Sequence, residues 1–225
     1  MSLDSSGISW TDGTLNSLYG CAECSVDCRL CYAVGRVYRN SCNPKRNGDG
    51  RFNGLVKNER FTDKLLFDPM HLYAVLTDRD PKKIFVNEFS DLLHDALPME
   101  LILEHVRVFR AAYWHQFQVL TKRSHRLAAL NNSVLAECGS WPENLWVGVS
   151  ICSGTKIEMQ RIEHLGAADA GLKWVSFEPW VSDMNAPAAR NISESSAHAA
   201  EEQDRVDCDW RRIRAARGYE PDDAR

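Results

Sequence analysis

Residues 20–33 read GCAECSVDCRLCYA and place four of the eight cysteines of the chain, Cys21, Cys24, Cys28 and Cys31, within eleven residues. Core packing does not explain this density, because the other four cysteines are scattered along the chain. Thiolates every three or four residues along one loop are typical of iron–sulfur ligation, in which neighbouring irons lie close together. The stretch therefore predicts a metal or cluster site.

Two other roles for these cysteines are weighed against a cluster. Cys21/Cys24 and Cys28/Cys31 are pairs with two-residue gaps that could close a tetrahedral zinc site, although the three-residue link between them is shorter than usual zinc folds allow. A structural disulfide is disfavoured, because no secretion signal precedes the stretch and disulfides are uncommon in reducing compartments. A redox-active cluster is the preferred interpretation.

Length and composition indicate an ordinary globular protein. The 225 residues suit one domain with a proper core, and no apolar run approaches the roughly 20 residues needed to cross a bilayer. We expect a cytoplasmic protein with no membrane partner. The formal net charge of −4 argues against broad, sequence-independent binding of duplex nucleic acid, although a local basic channel is compatible with it.

The apolar pattern predicts repeated βα units. Short apolar runs occur at residues 65–67, 84–86, 117–120, 145–149 and 174–177. Helical periodicity fills the gaps after Ile84, most clearly over residues 99–113 with Pro98 just inside the start. Strands that begin about 30 residues apart imply a parallel sheet or barrel. We also predict a first strand over residues 8–12, a helix over residues 33–40 and an exposed loop over residues 40–54 that carries an exposed Cys42.

Polar residues follow the predicted strands, where ligands bind in parallel α/β folds. The residues at these ends are Asn87, Glu88, Ser90, Asp91, His94, Thr121, Lys122, Arg123, Ser150, Glu178 and Pro179. Helix capping is an alternative role for Asp91 and Ser124. His105, His115 and His164 are predicted to be surface or hydrogen-bonded core residues.

The cysteine spacing resembles two protein groups. Cys24-x3-Cys28-x2-Cys31 resembles the signature of the radical S-adenosylmethionine (SAM) superfamily, whereas Cys21-x6-Cys28-x2-Cys31 resembles phage and prophage proteins of unassigned function. The third ligand is therefore either Cys21 or Cys24. Four further segments are similar to motifs of the phage group: residues 85–98, 117–123, 146–150 and 175–179.

The resemblance to the radical SAM superfamily implies an α/β fold, here a partial (β/α) parallel barrel that lacks its last strands. It also implies a [4Fe-4S] cluster that binds and reductively cleaves SAM. It implies that Lys122 or Arg123 binds the carboxylate of SAM. It also implies that Asn87, Ser90, Asp91 or Glu178 accepts hydrogen bonds from the amino group or ribose, and that Tyr32 packs near adenine. The implied partners are a flavodoxin- or ferredoxin-type electron donor and a nucleic acid or nucleotide substrate.

The resemblance covers residues 8–181 and stops after Trp180. Residues 184–225 are rich in Ala, Ser, Arg, Asp and Glu, which suits partial helix or disorder. We therefore divide the chain into a barrel-like domain over residues 1–183 and a divergent polar tail over residues 184–225, as a frameshift or truncation would produce. If so, the barrel lacks its closing strands, and we expect an unstable or inactive protein; the alternative is a lineage-specific tail that packs across the open edge. The alternative function is a non-catalytic zinc- or cluster-stabilised binding protein of phage or prophage origin.

Overall fold

The computed structural model describes residues 4–5 and 7–177 and has a mixed α/β architecture. The strands in this part of the chain are β1 (Asp4–Ser5), β2 (Gly13–Leu15), β3 (Leu18–Tyr19), β4 (Val56–Lys57), β5 (Arg60–Phe61), β6 (Leu66–Phe67), β7 (Lys83–Val86), β8 (Gln116–Thr121), β9 (Leu145–Ser150) and β10 (Leu172–Ser176). The helices are α1 (Tyr32–Ser41), α2 (Pro69–Ala74), α3 (Met99–Ala111), α4 (Leu127–Cys138) and α5 (Lys156–Gly166), with 3₁₀ turns at Val26–Leu30 and Ser124–Arg126.

The main sheet has six strands in the order β1-β2-β7-β8-β9-β10. The five strands β2, β7, β8, β9 and β10 are parallel to one another, and β1 pairs antiparallel with β2 at one edge. Because these strands run in the same direction, the carboxyl ends of β7 to β10 lie along one edge of the sheet. The predicted α/β fold with a parallel sheet is confirmed.

The main core lies between one face of the sheet and the helices after β7. On β8, Phe117 and Val119 point to this side, and Phe117 stacks on Phe109 of α3 with ring centroids 4.1 Å apart. Leu145, Val147 and Val149 of β9 join the same apolar cluster. Successive side chains along a strand point to opposite faces of the sheet. A helix that packs on one of these faces therefore needs apolar residues on only one of its own sides.

An aromatic cluster lies on the other face of the sheet. The ring of Trp10 packs edge-on against Phe85 of β7 and Trp174 of β10, at 5.2 and 5.3 Å between centroids. Trp174 lies over Gly148 of β9 so closely that a Cβ atom there would be 2.5 Å from the indole ring. The cluster therefore spans from β7 to β10, and glycine at position 148 makes room for it.

The predicted first strand over residues 8–12 is wrong. Those residues form turns and bends, and the strand is β2, Gly13–Leu15. The hydroxyl of Thr11 donates to the backbone oxygens of Lys83 (2.8 Å) and Gly13 (3.1 Å), so side-chain hydrogen bonds hold this segment against β7. Its apolar pattern reflects the packing of Trp10 on the sheet.

The other predicted elements are largely confirmed. The four later apolar runs form β7 to β10, whereas residues 66–67 form β6, which pairs antiparallel with β3 outside the main sheet. Pro98 lies at the N-cap of α3, one residue before its start. Cys42 is exposed, and α1 covers the predicted helix. No helix among the described residues is long and apolar enough to cross a membrane. The tail at 184–225 lies outside the described residues.

Candidate functional site

The cysteine loop, residues 20–31, connects β3 to α1 at the carboxyl edge of the sheet. It starts at Gly20, whose φ of +91° and whose close approach to the carbonyl oxygen of Lys64 exclude a side chain, because a Cβ atom would be 1.9 Å from that oxygen. The Gly20 amide donates to the carbonyl oxygen of Phe89 at 3.0 Å, just after β7. The backbone thus enters the loop beside the end of a parallel strand.

The four loop thiols differ in exposure and acidity. Cys24 is exposed and the others are partly buried, and the sulfur atoms of Cys24 and Cys28 are 3.9 Å apart. The hydrogen bond from Cys24 lowers the pKa of the Cys28 thiol to about 5 and raises the pKa of Cys24 itself. Burial, and then the nearby Asp91 carboxylate, raise the pKa of Cys21 to about 11. Of Cys21, Cys24 and Cys28, the thiol of Cys28 is therefore the most readily deprotonated.

Arg123, just after β8, fixes one side of the loop. Its Nη2 donates to the carbonyl oxygen of Ala22 at 2.8 Å, and its Nη1 lies 3.7 Å from the sulfur of Cys21. The same guanidinium contacts Asp91 (3.3 Å) and Asp95 (3.0 Å). The Arg123 side chain is only 2% exposed, so a buried ion pair joins the cysteine loop to the ends of two parallel strands.

Asp91 is the carboxylate that organises this strand edge. It accepts hydrogen bonds from the hydroxyl of Thr121 at 2.8 and 3.0 Å and from the amide of Lys122 at 3.1 Å. Its Oδ1 also accepts from the amide of Leu93 at 2.9 Å, which closes a local Asx turn. Asp91 therefore acts as a turn former and ion-pair partner, and not as the N-cap of a helix.

Lys122 fixes the other side of the loop. Its Nζ is 2.8 Å from Oδ2 of Asp27, a buried carboxylate between two of the cysteines. Burial alone would raise the pKa of Asp27, but the hydrogen bond and charge of Lys122 outweigh it, and the pKa lies well below its usual range. Asp27 also contacts Cys152 (3.2 Å) and Arg161 (3.6 Å).

Asn87 and Ser90 lie at the end of β7 with different surroundings. Asn87 adopts a positive φ of 63°, which asparagine tolerates better than most residues, and its Oδ1 accepts from the amides of Ser17 (3.1 Å) and Leu18 (3.0 Å). Its Nδ2 and the hydroxyl of Ser90 are buried without a hydrogen-bond partner in the described part of the chain. Asn87 therefore orients β3, and Ser90 keeps a polar atom for another partner.

One cluster of possible metal ligands was not predicted from the sequence. Ligand atoms of Asp27, Cys152 and Glu158 lie within 4.8 Å of one another. Glu158 already accepts hydrogen bonds from the amides of Cys152, Ser153 and Thr155 at 2.9 to 3.1 Å, and Asp27 faces the cationic side chains described above. A metal cation there would meet two positive charges, so these residues do not fit a metal site.

The structure thus brings together most of the predicted site. The cysteine loop, Asp91, Lys122 and Arg123 are joined by direct contacts. Sequence reasoning missed Asp27 and Arg161. Asp27 could have been noticed because it is a carboxylate inside the cysteine stretch, directly before Cys28. Nothing in the sequence pattern of α5 distinguishes Arg161. Glu178 lies outside the described residues.

All three histidines that were predicted to be surface or hydrogen-bonded core residues have a partner, and Nε2 of the buried His115 lies 2.9 Å from the carbonyl oxygen of Asp78. Both ring nitrogens of His105 are hydrogen-bonded, to the hydroxyl of Ser17 (2.9 Å) and the carbonyl oxygen of Leu101 (2.7 Å). Nδ1 of His164 lies 3.0 Å from the hydroxyl of Ser124. His105 and His115 are therefore hydrogen-bonded core residues and His164 is a surface residue, as predicted.

The fold and site define a parallel α/β protein with a cysteine loop fixed to the carboxyl ends of its strands. The chain belongs to the family described as "Protein of unknown function (DUF5131)", whose model matches residues 5–210. No curated protein and no solved structure matches the chain.

Proposed function

We propose that this protein is a radical SAM-type iron–sulfur enzyme, and that its sheet belongs to a partial barrel of that type. The observation that carries the proposal is the attachment of a four-cysteine loop to the carboxyl edge of a parallel sheet through Arg123 and Lys122. That edge is where parallel α/β folds bind their ligands. When bound, a [4Fe-4S] cluster supplies the electron that cleaves SAM, and a flavodoxin- or ferredoxin-type donor reduces it.

The donor set fits a cluster better than a single zinc ion. Four thiolates around one zinc lie about 3.8 Å apart, since each Zn–S bond is about 2.3 Å. The sulfurs of Cys24 and Cys28 are 3.9 Å apart, but no three cysteine sulfurs among the described residues lie within 4.8 Å of one another. A cluster spreads its ligands over several irons and tolerates wider spacing. The thiols are free and partly exposed, as assembly of a cluster requires.

We propose Cys24, Cys28 and Cys31 as the three ligands. Cys24 is the exposed thiol beside Cys28, and the segment that carries it lies between the two attachment points of the loop, Ala22 and Asp27. Cys21 is instead held by Arg123, whose Nη1 lies 3.7 Å from its sulfur. In this arrangement Cys21 lines the site without binding iron.

Lys122 is the better candidate for binding the carboxylate of SAM. Its side chain is 21% exposed, and its ammonium has three donors, of which the ion pair with Asp27 uses one. The side chain of Arg123 is 2% exposed, and every guanidinium nitrogen already has a partner. The unpartnered hydroxyl of Ser90 is a candidate for a second polar contact. Arg123 and Asp91 then have the role of holding the loop and excluding water.

The test is anaerobic reconstitution with iron and sulfide, followed by metal analysis and electron paramagnetic resonance with and without SAM. We expect a reduced [4Fe-4S] signal that changes shape when SAM is added. Cys28→Ala and Cys31→Ala remove the cluster, and Cys42→Ala, at an exposed cysteine outside the loop, retains it. Loss of iron in Cys24→Ala but not in Cys21→Ala supports the assigned ligands, and the reverse result contradicts them.

Two outcomes overturn the proposal. Zinc without iron or labile sulfide would indicate the alternative, a non-catalytic zinc-stabilised binding protein. A cluster signal that is indifferent to SAM would indicate a cluster-stabilised protein without radical chemistry.

A further inference from the structure

Positive charge is concentrated in one segment of this acidic chain. Residues 29–64 contain nine Lys and Arg residues but three Asp and Glu residues, whereas the whole chain has a formal net charge of −4. The segment therefore carries about six positive charges, and the remainder of the chain carries a large negative excess. Such local asymmetry indicates a surface for an anionic partner, which the net charge of the chain conceals.

This segment is built around the cysteine loop. A separate apolar cluster, which includes Val37 of α1, Phe52 of the following loop and Leu55 before the hairpin β4–β5, holds it together against Phe89. Arg60 of β5 is 3.5 Å from Glu23 of the cysteine loop. The carbonyl of residue 64 packs on the glycine that opens that loop. Both ends of the basic segment thus adjoin the proposed cluster site.

Most of the basic side chains in this segment face solvent. The exposed ones without an ion pair in the described part of the chain are Arg29, Arg39, Lys45, Arg46, Lys57 and Lys64, of which Lys64 donates to the backbone oxygen of Asn53. Arg39 lies on the exposed side of α1, and one of its guanidinium nitrogens is 3.6 Å from where a Cβ atom of Gly35 would be. The guanidinium therefore lies back along the helix towards the cysteine loop.

Aromatic side chains are exposed among these cations. Tyr32 and Tyr38 of α1 are 56% and 60% exposed, and the preceding turn exposes Val26 (79%) and Leu30 (55%). Soluble proteins rarely expose several large apolar side chains so close together without a binding partner. Aromatic rings between cations are the arrangement with which proteins bind single-stranded nucleic acid, because unpaired bases stack on the rings while the cations contact phosphates.

We propose that the basic segment, residues 29–64, together with the preceding residues 26–28, forms a binding surface for single-stranded nucleic acid that leads to the cysteine loop. A duplex fits this surface less well, since its bases are stacked on each other and cannot cover exposed tyrosines. The claim that single-stranded nucleic acid is the substrate rests on the radical chemistry proposed above. The claim that this surface binds single-stranded nucleic acid does not require a cluster.

The test measures fluorescence anisotropy of a labelled mixed-sequence single strand of about 16 nucleotides with the full-length protein, before and after reconstitution. The double variant Arg29→Glu/Arg39→Glu should weaken binding at least tenfold. It should also lower the slope of log affinity against log salt by about 1.4, because two phosphate contacts are lost. The matched control Arg79→Glu/Lys156→Glu makes the same change in net charge at exposed residues outside the segment and should bind as the unmodified protein does.

Tyr38 tests the stacking component. Tyr38→Ala should weaken binding by about fivefold to a hundredfold, and Tyr38→Phe, which keeps the ring, should not. Equal losses in the two double variants, or equal affinities of Tyr38→Ala and Tyr38→Phe, would overturn the proposal. Preference for a duplex of the same sequence or for vesicles of anionic lipid would also overturn it. Failure of SAM cleavage with binding intact would contradict the radical function alone.

Discussion

Replacing Arg123 by methionine tests whether a buried ion pair holds the cysteine loop in place. The substitution keeps an unbranched side chain of similar length but removes the charge and every donor. It leaves Asp91, which is 7% exposed, without its cationic partner, and it frees the carbonyl oxygen of Ala22.

The expected loss of stability follows from the surroundings of Asp91. Removing one partner of a buried ion pair costs about 3–5 kcal/mol. The hydrogen bonds from the hydroxyl of Thr121 and the amide of Lys122 remain to solvate the carboxylate, so we expect the lower end, about 3 kcal/mol. Arg107→Met is the matched control, because it removes an arginine that bridges three glutamates at the surface. Exposed pairs of this kind contribute far less.

The assay is urea unfolding of the metal-free, reduced protein, followed by circular dichroism, together with the rate at which a thiol reagent labels the cysteines. We expect the midpoint to fall in Arg123→Met at unchanged slope, and Cys21 to react faster because its burial depends on the arginine. Equal stability losses in Arg123→Met and Arg107→Met, with unchanged labelling, would refute the reasoning.

Three further substitutions or conditions test the fold around the site. Gly148→Ala should lower the unfolding midpoint, since the new Cβ would be 2.5 Å from Trp174, whereas the double variant Gly148→Ala/Trp174→Leu should recover part of the loss. Gly20→Ala should destabilise more, because it adds strain at a positive φ to a clash with the backbone of Lys64, and a midpoint at or above that of Gly148→Ala would contradict this order. Burial lowers the pKa of His105 to about 4, below the unfolded value of about 6.5. The unfolded state therefore binds a proton first as pH falls, and stability should decrease between about pH 6.5 and pH 4, with a shallower decrease in His105→Gln.

The strands of the main sheet could be predicted because their apolar runs are short, regularly spaced and separated by helical segments. The parallel arrangement then placed Asp91, Lys122 and Arg123 at one edge before any contact was known, since the carboxyl ends of neighbouring parallel strands must meet. The segment at residues 8–12 could not be predicted correctly. An apolar side chain such as Trp10 gives the same local pattern whether its backbone joins the sheet or only packs against it.

The partners of the site residues were less accessible to sequence reasoning. Lys122 and Arg123 were expected to bind a ligand, but which carboxylates they meet depends on where the cysteine loop folds back. Asp27 and Arg161 are separated by more than a hundred residues of sequence, yet their side chains are 3.6 Å apart. No period or spacing in a single sequence carries that information.

The two attachments of the cysteine loop explain how one strand can position it. Lys122 and Arg123 are consecutive residues in the bend that directly follows β8. Lys122 reaches Asp27 on one side of the loop, while Arg123 reaches Ala22 on the other. The segment with Cys24 lies between these two fixed points and is more exposed than either. In the proposed cluster this exposed segment supplies a ligand, while Lys122 and Arg123 hold the loop to the sheet on both sides of it.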